Sequence, residues 1–332
     1  MIVRNKVFLR KKRDFGDIFG TIFGLLRRNF GVLFGSILLV AGPYIILTAI
    51  IGALMNGEMF SSIKDFAQAI SRGDILQVLS DLLNNSAGWF VLLIFTSFLS
   101  LSFLRTTVAN FFVIYETKSE GDTFSINEIA RKTYRDVWAV LGGIILFSII
   151  TTIIFAIVMV PFILLIAYGG TGGTILFVFV FFFGFLAFGP QLVYMFQFTP
   201  YFVMVRDKVF VFTAFSRMRK TIKGNFWWIW VLMVCMFLIV WVASFITNLP
   251  AVFFQPGSIF MRGSSSEMFE SGASPAYLAL YAFGLVCTNI IYCLGDMMAA
   301  VSYYSFEEEQ TGQGLALKIE EIGRTEENPN YQ

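Results

Sequence analysis

The chain has 332 residues, 57% of them hydrophobic and 14% charged, against about 45–50% and about 25% in an ordinary soluble domain. A water-soluble fold of this length cannot bury so much apolar side chain, so lipid must solvate most of it. A net charge of +2 gives no field for nucleic acid, and the absence of histidine removes the commonest general base.

In chain order, a basic start leads into an amphipathic stretch and then a long apolar run. No small-x-small cleavage site follows, so the run is expected to be kept as a membrane anchor. Phe15, Ile18, Phe19, Ile22, Phe23, Leu26 and Phe30 form one helical stripe behind Asp14 as N-cap. Beside it Gly16, Gly20 and Gly24 make a small-xxx-small ridge, a candidate helix-packing surface. A helix lying on the membrane surface is the plainer reading of the segment, with a partner-binding helix as the alternative.

Six runs have the length of a bilayer span: Phe30–Met55, Trp89–Tyr115, Val137–Tyr168, Thr174–Val205, Phe226–Leu249 and Ala276–Tyr304. Pro43, Pro161, Pro190 and Pro200 lie inside them and are expected to kink, not break, the helices. Between the first two spans, Ile75, Val78, Leu79, Leu82 and Leu83 suggest another amphipathic helix. Cys235, Cys287 and Cys293 fall in apolar runs, without the spacing of a disulfide framework or a metal site.

The basic residues set the expected orientation. Arg4, Lys6, Arg10, Lys11, Lys12, Arg13, Arg27 and Arg28 precede the first span. Lys118, Arg131, Lys132 and Arg135 lie in the second connection, and Arg206, Lys208, Arg217, Arg219, Lys220 and Lys223 in the fourth. Lys318 and Arg324 are in the tail, while the opposite side has only Lys64, Arg72 and Arg262. By the positive-inside rule both termini face the cytoplasm. Residues 1–304 then form a single integral membrane domain and 305–332 a cytoplasmic tail.

The other two cytoplasmic connections also end in amphipathic helices. One starts at a Ser125/Glu128 capping box, with Phe124 stapled to Ile129. The other places Val211, Ala214, Phe215, Met218 and Ile222 on one face. Arg131-Lys132-Thr133 before Trp138 parallels Arg219-Lys220-Thr221 before Trp227, with one residue inserted. Twenty-three positions separate Trp138 from Pro161 and also Trp227 from Pro250. The fold expected is therefore an all-α polytopic helical bundle of about six spans, arranged as three repeats of surface helix plus two spans. The competing reading is that basic residues before an aromatic mark any membrane boundary.

Arg27-Arg28-Asn29-Phe30, then Tyr303-Tyr304-Ser305-Phe306-Glu307-Glu308-Glu309, then Gly312-Gln313-Gly314-Leu315 resemble the integral membrane domain of bacterial glycerophosphodiester phosphodiesterases and its free-standing multi-pass relatives. The resemblance implies a bacterial cytoplasmic (inner) membrane. It also implies partnership with other membrane proteins and with a cytoplasmic AAA-type ATPase. The phosphodiesterase chemistry of that family sits in a separate histidine-using barrel, so no catalytic residue carries over.

Ionisable groups within spans cost about 2.5–3.5 kcal/mol at mid-bilayer, which makes each a functional candidate. Arg105 and Asp296 lie at similar depth, roughly 12–15 Å from their helix ends, and are expected to pair inside the bundle. Thr106, Thr107, Asn110, Gln191, Gln197 and Asn289 are candidates to complete a hydrated cavity around them. The ion pair reads either as a lock between two helices or as a transport gate or proton relay. Glu307–Glu309 and Glu320–Glu321 offer a contact to a cytoplasmic protein. No metal, cofactor, nucleophile or phosphate loop is indicated. The expected function is a non-enzymatic membrane scaffold or assembly subunit, contacting lipids and protein partners. The alternative is a transporter or lipid-handling protein using the Arg105/Asp296 cavity, with a membrane enzyme as a third class.

Overall fold

The structure, a computed structural model, describes residues 7–72, 75–119, 122, 125–254, 274–312 and 316, with backbone alone for 58–72, 75–86, 166 and 167. Among the described residues the regular structure is helical: α1 (Phe15–Ser36), α2 (Gly42–Arg72), α3 (Ile75–Thr117), α4 (Ile126–Val193), α5 (Thr199–Asp207), α6 (Val211–Thr221), α7 (Phe226–Phe253), α8 (Pro275–Ile291) and α9 (Cys293–Thr311). Six stretches are long and apolar enough to cross a membrane: Phe15–Gly57, Ala87–Thr117, Ile126–Leu165, Tyr168–Asp207, Phe226–Phe253 and Pro275–Thr311. The chain is a multi-pass helical membrane protein.

It divides into two compact units. The first comprises Met1–Ser36, Arg105–Met236 and Leu294–Gln332. Here α1 runs through the basic boundary with one break, at Asn29 (φ −116°, ψ 20°), whose amide donates to the Leu25 carbonyl at 3.3 Å. Its buried stripe is Ile18, Ile22, Leu25 and Asn29, continuing to Leu33 and Ser36. This corrects the expected stripe: Phe23 and Phe30 are 45% and 51% exposed. Phe15 instead stacks on Trp228, with centroids 5.8 Å apart.

The Ser125 hydroxyl caps α4 by accepting from the Glu128 amide at 3.3 Å. The Glu128 carboxylate meets Lys118 at 3.1 Å. The helix then passes from surface segment to span without a break. At Gly170 (φ 55°, ψ −142°) it folds back, in a backbone region that a Cβ disfavours. Phe162 and Phe177 show the reversal: their rings lie 5.5 Å apart, whereas a straight helix would separate them by about 22 Å. The two arms of this hairpin are exposed on most faces, including Ile153, Ile157, Phe179, Phe182 and Phe185. Lys208 and Asp136 join its base at 2.6 Å.

Prolines explain two local widenings. A π-helical turn at Ile37–Ala41 precedes Pro43, and another at Tyr194–Phe198 lies between Pro190 and Pro200. A proline lacks the N–H of the regular ladder, and a wider turn accommodates the carbonyls it leaves. By contrast α6 is set off from α7 by a turn at Gly224 (φ 95°). It buries Val211, Ala214, Met218 and Thr221 and leaves its charges outward.

The second unit comprises Ile37–Leu104 and Phe237–Cys293. Within it α2 packs on α8, where Gly52 admits Leu285 and the Tyr277 hydroxyl donates to Asn56 at 2.8 Å. Ser274 caps α8, with Pro275 as its first residue. The Asn248 amide donates to Thr288 at 3.0 Å, in space that Gly284 leaves by having no side chain. Tyr44 stacks on Phe103 at 4.0 Å.

The expected Phe124 staple, the side chains of Ile75–Leu83, most of the Pro250–Pro275 connection and nearly all of the tail beyond Gly312 lie outside the described residues. Ser305–Thr311, expected to start the tail, belong to α9, with Ser305 and Phe306 buried.

Candidate functional site

Two arginines, one buried and one nearly so, organise the first unit. Arg105, on α3, points its Nε at Asp296 of α9, 3.7 Å from Oδ1; the residues are 6% and 8% exposed. Its guanidinium lies over two rings of the fourth span, 4.8 Å from the Tyr201 centroid and 5.4 Å from that of Phe198. Cation–π attraction of this kind strengthens where water is excluded. Gly295 makes the arrangement possible, because a Cβ there would fall 2.7–2.8 Å from the Phe198 ring. Nearby on the same helices, the Tyr194 hydroxyl bonds Ser302 at 2.8 Å.

The second arginine stands at the basic end. Arg206, on α5, grips Glu307 of α9 with two bonds of 2.7 Å and bonds Asp207 at 2.8 Å. Asp207 also accepts from Arg217 of α6 at 2.8 Å. The Arg206 guanidinium lies 4.8 Å from the Tyr303 ring and 5.5 Å from that of Tyr304. The Tyr304 hydroxyl donates to Glu116 on α3, which also takes Arg10 at 2.5 Å. Two chains of charge-assisted bonds, meeting on α9, thus join the N-terminal segment and α3 on one side and α5 and α6 on the other. An open cavity of about 640 Å³ lies among these groups, with Lys220, Thr117 and Thr221 also in its wall.

Arg13 pins the segment ahead of α1. Its guanidinium donates to the carbonyls of Phe8, Leu9 and Lys11 and to Thr21, while its amide donates to Ser305 at 2.9 Å. Burial pushes this guanidinium below its ordinary range, opposed by the charge of Asp17. Lys12 is held above its ordinary range by its 2.6 Å bond to Glu309. Glu307 and Glu309, expected to meet a partner protein, are therefore engaged within the chain.

The other sequence-derived candidates disperse. Asn110 is fully buried, and neither amide atom has a hydrogen-bond partner among the described residues. Gln191 is buried but donates to the Phe226 carbonyl, tying α4 to the start of α7. Asn289 lies in the second unit and bonds its own helix, at the Leu285 carbonyl, 2.8 Å away. Gln197 is exposed, whereas Thr106 and Thr107 are buried. A Cβ built on Gly16, Gly20 or Gly24 meets nothing within 4 Å, so no described part of the chain packs on that ridge. Among the described residues no group of His, Cys, Asp or Glu could hold a metal ion.

The Arg206 hub was not visible as a site in the sequence. Charges are ordinary at span ends, and only the acidic run after Tyr303-Tyr304 hinted that carboxylates are needed there. Compared with known protein families, curated proteins and solved structures, the chain matches none.

Proposed function

We propose that this chain is a non-enzymatic scaffold or assembly subunit of a bacterial inner-membrane complex, with both termini in the cytoplasm. The observation that carries the reading is the enclosure of Arg105. Asp296, Phe198 and Tyr201 surround it, and the pair is almost inaccessible. A charge so confined locks helices together, whereas a substrate site must be reached. The gathering of the basic segments around Arg206 supports their placement on one side of the membrane, the cytoplasmic side by the positive-inside rule. The exposed α4 hairpin supplies apolar surface for lipid and for helices of other membrane proteins. From the family resemblance, other multi-pass proteins and an AAA-type ATPase are the partners to look for. The test is cross-linking in native membranes followed by gentle purification. A stoichiometric protein partner is the expected result; recovery of the chain alone would overturn the reading.

A transporter or lipid-handling protein is the second reading, and buried Asn110, five positions beyond Arg105, favours it. An Arg105→Ala protein that stays folded and assembled but loses flux of a solute or lipid would establish it.

A further inference from the structure

The cavity at the basic end is built with more cation than its carboxylates consume. Four cationic side chains, Arg10, Arg206, Arg217 and Lys220, share its wall with three carboxylates. Each carboxylate is already engaged. Glu116 takes Arg10 and the Tyr304 hydroxyl, Glu307 takes both arms of Arg206, and Asp207 takes Arg206 and Arg217. Lys220 has no carboxylate partner among the described residues. Arg217 presents one nitrogen to Asp207 and is otherwise half exposed. Lys220 follows Arg217 by three positions on α6, so the two cations lie on neighbouring turns of one face.

The wall is also braced. The Gln310 amide of α9 donates to the carbonyls of Lys220 and Thr221, at 3.2 and 2.6 Å, and fixes the end of α6. Arg206 and Arg10 stand behind it neutralised by their carboxylates, which leaves the wall a surplus of one positive charge on the side of Arg217 and Lys220. A few residues on, Trp227 is 71% exposed at the start of α7, the position of an aromatic at a membrane interface. An anion entering here therefore arrives at headgroup level.

We propose that this cavity binds a phosphate group, with the Lys220 ammonium and the outer face of the Arg217 guanidinium as its ligands. Phosphate suits the site better than a carboxylate. Its several acceptor oxygens can meet a point-like ammonium and a planar guanidinium together, and its charge matches the surplus cation. The phosphate comes from an anionic lipid headgroup or from a free phosphorylated solute. The proposal goes beyond the scaffold reading and does not rest on it.

The test uses the purified full chain in detergent micelles doped with phosphatidylglycerol or with diacylglycerol, which lacks a phosphate, and separately with inorganic phosphate alone. Retained ligand is read by native mass spectrometry, and affinity by the shift in unfolding temperature. Phosphatidylglycerol should bind more tightly than diacylglycerol. Lys220→Gln should weaken that binding roughly tenfold, the worth of one charge-assisted hydrogen bond. Lys220→Arg should preserve it. Arg219→Gln, an equal loss of charge on an exposed neighbour outside the cavity wall, should change it less than about twofold by the same scale. If inorganic phosphate binds as tightly as the lipid and displaces it, the source is a free solute; if only the lipid binds, it is a headgroup. The proposal fails if neither phosphatidylglycerol nor inorganic phosphate binds above the phosphate-free diacylglycerol control, or if Arg219→Gln costs as much as Lys220→Gln.

Discussion

Arg105 and Arg206 are built from the same parts and held in opposite ways. Each meets a carboxylate of α9 and lies over aromatic rings, Phe198 and Tyr201 in one case, Tyr303 and Tyr304 in the other. Arg206 makes a two-pronged grip of 2.7 Å and a third bond to Asp207, beside an open cavity. Arg105 has one approach of 3.7 Å and almost no access. Burial and pairing strength are thus separate quantities. The deeper charge has the looser carboxylate contact and relies more on the rings around it.

Breaking the tight pair should have the largest effect. Glu307→Ala leaves Arg206 with Asp207 as its only carboxylate partner among the described residues, and a loss of about 3–5 kcal/mol is expected for removing one member of a largely buried pair. Reversible unfolding in mixed detergent would measure it, and a loss near zero would mean that Asp207 alone suffices. Replacing both members of the looser pair should do the reverse. Arg105→Met with Asp296→Leu is expected to leave stability unchanged or raise it by about 1–4 kcal/mol, because two buried charges give way to packed side chains. A strong loss in the same assay would show that the 3.7 Å contact carries more than its geometry suggests.

Smaller changes sharpen the contrast. Gly295→Ala pushes a methyl group into the Phe198 ring and should cost about 1–3 kcal/mol, with altered aromatic circular dichroism. Lys12→Ala removes a solvent-exposed partner of Glu309 and should leave the unfolding midpoint where it was.

The sequence showed much of this and missed some of it for definite reasons. Spans were legible because an uncharged apolar run of twenty or more residues, in a chain this hydrophobic, finds its solvent only in lipid. Arg105 and Asp296 were conspicuous because charge is costly there. Arg206 and Glu307 were not, since charge at a span end is routine. In α1 the expected stripe followed the largest residues, yet Leu25 and Asn29 are buried and Phe23 and Phe30 are exposed. In lipid, large apolar groups need not turn inward, so the rule that orients a soluble helix weakens. The repeat parallel also shows its limit here. Thr133 and Thr221 are both buried, and Trp138 and Trp227 both outward, but the inserted residue in the second copy goes with the Gly224 turn.

The hairpin of α4 has a consequence for biosynthesis. No charged residue occurs between Asp136 and Arg206, so both arms leave the ribosome without any charge of their own to set orientation. Arg131, Lys132 and Arg135 ahead of the first arm, with Arg206 and Lys208 behind the second, must therefore hold the two ends of the hairpin on one side, and Lys208 closes on Asp136 between them. Replacing Arg206 and Lys208 by glutamine should therefore loosen the placement of the second arm, read by labelling of single cysteines on either side of it, while the chain stays resistant to alkali because its earlier spans remain inserted.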